Sequence, residues 1–243
     1  MTSNNNVENN SVNSMQNEIM LKTAIFKCTD ARALAEAVRQ LKSGNVISLP
    51  TDTVYGLACT ANDPNAIKKL YDIKGRSVAN PVAICVATVD DLKHWAKADH
   101  LPNALLNDLL PGALTVILHK SIHLNNPYLN RGIDKIAIRI PDFDFIRKVS
   151  QLYGQPIALT SANRSAEKST LNIEEFNELW PQLGAVFDGG QLGQSEQQRA
   201  ASTIVDLSEP GVYKITRSGV VYKQTKSVME MFNIKNKDDL DQT

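Results

Sequence analysis

The chain has 243 residues, with 26 Lys plus Arg balanced by 26 Asp plus Glu, and 42% of its residues are hydrophobic against 21% charged. That length suits one domain or a small pair with a core of its own, and the composition excludes a disordered, collagenous or coiled-coil chain. The charge balance excludes a protein that binds nucleic acid through bulk charge alone.

Residues 1–21 hold seven Asn in the first seventeen positions and no Lys or Arg, which reads as a disordered leader. The leader has neither the apolar stretch of a signal peptide nor the Arg-rich amphipathic pattern of a mitochondrial presequence. After Asp30, Leu34, Val38 and Leu41 recur at helical spacing, and Gly44 is placed to end that helix. Val46 to Leu49 reads as a strand, and Thr53 to Cys59 is rich in strand formers. Asp63-Pro64 supplies an N-cap and N1 pair for a helix carrying Ile67 and Leu70. Pro81–Val86, Leu114–Leu118, Ile136–Ile140 and Pro156–Thr160 read as buried strands, with a helix from Phe143 to Leu152 stopped by Gly154. Asn172 caps a further helix with Glu174 and Glu175 in its first turn. Ala185–Phe187, Thr203–Leu207 and Val212–Thr216 complete the strands, and Val228–Phe232 reads as a short closing helix. The polar segment 233–243 reads as a loose tail.

No linker splits the body, so the pattern predicts one mixed α and β (α+β or α/β) domain over 22–232. The leader carries Glu8 and Glu18 and the tail two Lys and three Asp, so the body holds 24 positive against 21 negative residues. Cys28, Cys59 and Cys85 share no C-x-x-C spacing and suit a reducing compartment. The longest apolar runs, such as Ala113–Leu118, fall far short of the ~18 residues that span a bilayer, so no membrane insertion is expected.

The P-loop, the dinucleotide fingerprint and H-E-x-x-H are all absent. Gly189-Gly190 with Gly193 reads either as a phosphate loop or as a plain turn. His94, His100, His119 and His123 share no ligand spacing, so no metal site is expected. More informative are the hydroxyl-rich and cationic segments at strand ends, where ligands bind in open sheets. Lys74 and Arg76 flank a glycine directly after a helix, so both can approach one anion; alternatively they complement the helix C-terminus. Ser161 and Asn163 sit two apart after a buried strand, on one side of the sheet end if extended, or as turn residues capping their own backbone. No His is placed to activate a Ser nucleophile. Cations beside neutral hydrogen-bonders fit stabilisation of transition-state charge, and so phosphoryl or nucleotidyl transfer.

Seven segments in order carry a family resemblance. They are Leu49-Pro-Thr-Asp-Thr-Val-Tyr-Gly-Leu57, Lys74-Gly-Arg76, Leu110-Pro-Gly112 with Leu114-Thr115, Ile138-Arg-Ile-Pro-Asp142, Leu159-Thr-Ser-Ala-Asn163, Ser202-Thr-Ile-Val-Asp206 and Arg217-Ser-Gly219. Over about 24–220 the chain resembles the YrdC family of threonylcarbamoyl-AMP synthases, in its short single-domain eukaryotic branch. The resemblance implies a twisted mixed β-sheet with helices on its faces and an open cationic cavity. It implies that L-threonine, bicarbonate or CO₂, and ATP with its Mg²⁺ give L-threonylcarbamoyladenylate and pyrophosphate. The product would pass to the tRNA threonylcarbamoyl-transferase machinery, which forms N6-threonylcarbamoyladenosine in tRNAs reading ANN codons. By the resemblance, Lys74 and Arg76 hold ATP phosphates and carry the catalytic charge, with Asn80, Lys135, Asn163 and Arg217 on the ATP side. Thr53, Arg139, Ser161 and Ser202 would hold the threonine. Cys85 stands where the longer branch has a histidine. The branch implies a cytoplasmic protein; it also occurs in mitochondria, for which this leader lacks the pattern. The rival reading is a non-catalytic YrdC-like module that binds tRNA or double-stranded RNA. The near-neutral body and 6% aromatic content weigh against it and imply weak or no direct tRNA binding.

Overall fold

The computed structural model describes residues 23–75, 80–193 and 199–240. The elements in chain order are β1 (Ile25–Lys27), α1 (Ala33–Lys42), β2 (Ile47–Leu49), β3 (Gly56–Thr60), α2 (Pro64–Lys74), β4 (Ala83–Cys85), α3 (Val89–Trp95), β5 (Ala96–Lys97), α4 (Asn103–Leu109) and β6 (Leu114–Lys120). They continue with β7 (Lys135–Arg139), α5 (Asp144–Tyr153), β8 (Ile157–Ser161), a 3₁₀ helix (Ile173–Gln182), β9 (Ala185–Asp188), β10 (Thr203–Asp206), β11 (Val212–Arg217), α6 (Tyr222–Met231), β12 (Lys235–Asn236) and α7 (Lys237–Leu240).

The helix boundaries follow from their end residues. Asp63 accepts the Asn65 N–H at 2.8 Å with Pro64 in the first turn, and α2 stops at Gly75, whose φ of 55° lies in the left-handed region that glycine enters without a Cβ clash. Asn172 accepts the Glu175 N–H at 3.2 Å and starts the next helix as expected. That helix is 3₁₀ rather than α, and it is broken at Phe176.

One mixed sheet runs β1-β9-β2-β3-β8-β4-β7-β6-β10-β11-β12, with β5 on β6. Its two faces are covered unequally. One face packs Leu57, Ile84, Ile138 and Val116 against α2, α3, α4, the 3₁₀ helix and α6 in the larger core cluster. On the other, Ala33, Ala37 and Leu41 of α1 and Phe145, Ile146 and Val149 of α5 cover only the β9-β2-β3-β8 side. Beyond α5 that face is bare, and Ala83, Ile117, Ala137 and Ile204 remain partly exposed on it. The uncovered strip is the floor of the candidate site.

Three expectations need correction. The run Thr53–Cys59 is a strand only from Gly56; residues 52–54 form a bend, because the Thr51 hydroxyl turns back to bond the backbone at positions 53 and 54. The closing helix begins at Tyr222, six residues before Val228. Its start, residues 222–224, is exposed and carries no hydrophobic periodicity. The segment from Asn233 is polar but tied down: Lys235 and Asn236 pair with Val212 and Tyr213 of β11, and Lys237 meets Glu209 at 2.7 Å. Main-chain pairing needs no apolar side chains and leaves little trace in composition. The leader 1–21 lies outside the described residues.

Candidate functional site

Register explains why distant segments meet. Gly56 of β3 lies opposite Ser161 of β8, Cys85 of β4 opposite Arg139 of β7, Thr115 of β6 opposite Ile204 of β10, and Ile204 opposite Arg217 of β11. Alternation then points these side chains to the bare face. All of them except the buried Cys85 line a cavity of about 420 Å³ together with Thr51, Ser169 and Ser202. Gly56 is needed there, since a Cβ would stand 2.6 Å from Leu159 Cδ1 and 3.2 Å from the Thr160 carbonyl.

Arg139 is the deep cation, 7% exposed. Its Nη2 donates to Asp52 Oδ1 at 2.5 Å and to Thr53 Oγ1 at 2.8 Å, while Nη1 reaches Thr51 Oγ1 at 3.5 Å. Thr53, expected on the threonine, accepts a bond from Arg139 through its hydroxyl. Arg217 is the outer cation. It donates from Nε and Nη2 to the Ser202 carbonyl at 3.0 and 2.8 Å, and from Nη2 to the Ser202 hydroxyl at 3.1 Å. The Ser202 hydroxyl also lies 2.7 Å from that of Thr115. Burial, then the nearby Arg139 charge, pull the Arg217 guanidinium below its ordinary value, as expected of like charges facing a common space. Such a space favours an anion.

Lys74 has a different place from the one expected. It is 2% exposed, and its ammonium donates to the carbonyls of Ser161 at 2.7 Å and Asn163 at 2.5 Å, and to Asn163 Oδ1 at 3.2 Å. The cation is built into the wall that carries Ser161. The Asn163 amide is also engaged, donating to the carbonyls of Arg164 at 2.7 Å and Glu167 at 2.8 Å. Lys74→Met should therefore strand buried carbonyls, at about 1–3 kcal/mol, lowering the melting temperature by roughly 2–12 °C and loosening Ser161. An unchanged melting curve with activity lost would put the ammonium on a ligand and not on the wall.

The remaining residues scatter. Lys135 points to the same face but pairs with Asp206 at 2.9 Å, away from the lining. Asn80 is exposed beside the cavity residue Pro81, and its carbonyl accepts from Tyr71 at 3.2 Å. Arg76 lies outside the described residues. Cys85 is fully buried 3.4 Å from the Ser150 hydroxyl; burial pushes its thiol up to about 12, so it is a neutral spacer beside Arg139 and no nucleophile. The glycine pair is bonded to Asp188 and Tyr55. Gly190 N–H donates to Asp188 Oδ1 at 2.8 Å, and the Tyr55 hydroxyl accepts from Gly189 N–H at 2.9 Å while donating to the Gly190 carbonyl at 2.7 Å. Sequence reasoning did not single out Asp52, Thr51 or Thr115. The hydroxyl-rich stretch Thr51-Asp52-Thr53 at a strand end was the available signal.

Residues 39–219 match the family model Sua5_yciO_yrdC, described as "Telomere recombination". The chain belongs to this family. It is 45% identical over 200 residues to the threonylcarbamoyl-AMP synthase of Homo sapiens, covering 82% of this chain and 71% of the human protein. To the Bacillus subtilis threonylcarbamoyl-AMP synthase it is 30% identical over 203 residues, 83% of this chain and 58% of that protein. Among solved structures, Pyrococcus abyssi Sua5 complexed with L-threonine superposes with a TM-score of 0.73 at 30% identity, over 84% of this chain and 58% of Sua5. Escherichia coli YciO superposes with a TM-score of 0.70 at 24% identity and shares the fold. The bare face and its strand-end cavity are thus set in a Sua5/YrdC fold, whose twisted mixed sheet carries helices on its faces as expected.

Proposed function

We propose that this protein is a threonylcarbamoyl-AMP synthase, converting L-threonine, bicarbonate or CO₂, and ATP to L-threonylcarbamoyladenylate and pyrophosphate. The observation that carries the proposal is the convergence of two guanidinium-bearing residues with Ser161, Ser202 and Thr115 in the lining of a single cavity. The resemblance to relatives of that name, one of them solved with L-threonine, supports the same reading.

The chemistry fits these residues. The threonine amine nitrogen attacks the carbon of CO₂ and loses a proton, giving a carbamate. A carbamate oxygen then attacks the α-phosphorus, and the bond to pyrophosphate breaks. No protein nucleophile is required. What is required is a cationic surface on which two anions can meet. Arg139 takes the threonine carboxylate. Ser161 or Ser202 takes the side-chain hydroxyl, which penalises analogues lacking it. Arg217 faces the nucleotide, with Arg76 on the phosphates and Asn80 at the rim; Lys74 and Asn163 act by shaping the wall, and Lys135 by its charge nearby. Mg²⁺ would enter as part of the ATP substrate. The product would serve tRNA threonylcarbamoylation in the cytoplasm, by transfer to a second enzyme.

The test is pyrophosphate release. Purified protein with ATP, Mg²⁺, bicarbonate and threonine should release pyrophosphate, and omission of threonine should reduce release to background. No release, together with strongly salt-dependent tRNA binding, would replace this reading with that of an RNA-binding module.

A further inference from the structure

Asp52 has no assigned part in the reaction, yet it is the carboxylate closest to the cavity's deep cation. It follows β2 in the bend that Thr51 closes, and its side chain is 11% exposed against 8% for Arg139. The contact is made at one point: Oδ1 accepts from Nη2, while Asp52 Oδ2 and Arg139 Nε are both buried with no hydrogen-bond partner among the described residues. A pair built only for stability would close both bonds as a fork. Here a carboxylate stands against Arg139 with part of its hydrogen-bonding capacity unspent.

The consequence concerns which carboxylates the cavity accepts. Arg139 and Arg217 face one space, and each would attract any carboxylate. In an α-amino acid the ammonium nitrogen is two bonds from the carboxylate carbon, so wherever Arg139 holds that group the ammonium lies near both guanidiniums and is repelled. A buried carboxylate behind Arg139 offsets that repulsion, and it also weakens the pull on a carboxylate that brings no ammonium. We infer that Asp52 is a specificity-determining positioning residue: it holds Arg139 from behind and sets the cavity's preference for a zwitterionic amino acid over a plain carboxylate of the same shape. This inference rests on the synthase reading, and it names an amino-group filter in the same site.

The probe pair is L-threonine and (R)-3-hydroxybutanoate, which is threonine without its amine. Binding of each to the full chain is measured by titration calorimetry, and threonine turnover by pyrophosphate release. In Asp52→Asn, which keeps the size and the acceptor oxygen and loses the charge, the ratio of the two dissociation constants should shrink by about tenfold. The KM for threonine should rise while kcat does not fall by more than about threefold, because the lost interaction is with the ammonium of the bound zwitterion, which the carbamate no longer carries. Asp52→Glu should restore most of the ratio, which a merely structural role would not predict. Should Asp52→Asn fail to fold, Asp52→Ser supplies a second neutral side chain for the same comparison. An unchanged ratio in a folded neutral variant overturns the inference and leaves the synthase reading intact. A wild-type chain that bound no threonine would overturn the synthase reading first, and this inference with it.

Discussion

Arg139→Ala should abolish threonine-dependent pyrophosphate release and also destabilise the fold. Two effects combine at this position. The guanidinium is the deep carboxylate fork of the cavity, and it is the partner of a buried Asp52 at 2.5 Å. Deleting one member of a buried pair leaves the other charge uncompensated, a cost of about 3–5 kcal/mol, or roughly 6–20 °C in melting temperature for a chain of this size. The double variant Asp52→Asn, Arg139→Ala separates the two effects. It removes the stranded charge, so it should regain most of the stability while remaining inactive. Thermal melts beside a pyrophosphate assay check this. If the double variant were no more stable than Arg139→Ala, the ion pair would not be the source of the loss; if Arg139→Ala turned over normally, Arg139 would leave the mechanism.

The legible part of the fold consisted of elements with their own local signature. Asp63-Pro64 and Gly75 bracket α2, and Gly154 stops α5, because caps and left-handed glycines act within a few residues. Elements that depend on partners left little trace. β1 has three residues and β5 two, too few for alternation to register. α3 buries only Leu92 and Trp95, and its one clear mark, the reciprocal bonds between Thr88 and Asp91, went unread. The candidate site divides in the same way. Arg139, Ser161 and Ser202 were each visible as polar residues at the end of an apolar run, and Arg217 through the family resemblance. What a single run does not say is which face it shows, or what lies opposite. Thr115 entered the site through pairing with Ile204 across β10. Lys74 and Thr53 sat in recognisable motifs, yet their polar atoms turned inward to hold neighbouring groups, a choice made by the packed structure and not by local sequence.

Gly219→Ala is the most demanding test of how the cavity is built. Gly219 lies in the crossing between β11 and α6, directly over the start of β10. A Cβ there would stand 2.3 Å from the Ala201 carbonyl oxygen, 2.4 Å from the Thr203 nitrogen and 2.5 Å from the Ser202 carbonyl carbon. All three are backbone atoms, so no side-chain rotation relieves the overlap. Either the crossing lifts or the 201–203 strand start is pushed away. The second outcome moves Ser202, and with it the 2.7 Å contact to Thr115 and the two bonds that aim Arg217. The first breaks the bonds from Gly219 and Val221 N–H to Thr203 Oγ1, both at 3.2 Å. Overpacking of this kind costs about 1–3 kcal/mol or more, and a displacement of about 1 Å at a positioned group costs on the order of 10²-fold in rate. Gly211→Ala is the control. Its φ of 76° carries strain, but a Cβ there meets nothing within 4 Å, so it should lose about 1–2 kcal/mol of stability and keep its turnover. Steady-state kinetics on both variants at a temperature where each is folded decide the matter, and wild-type kcat/KM in Gly219→Ala would mean that the position of Ser202 does not control the reaction.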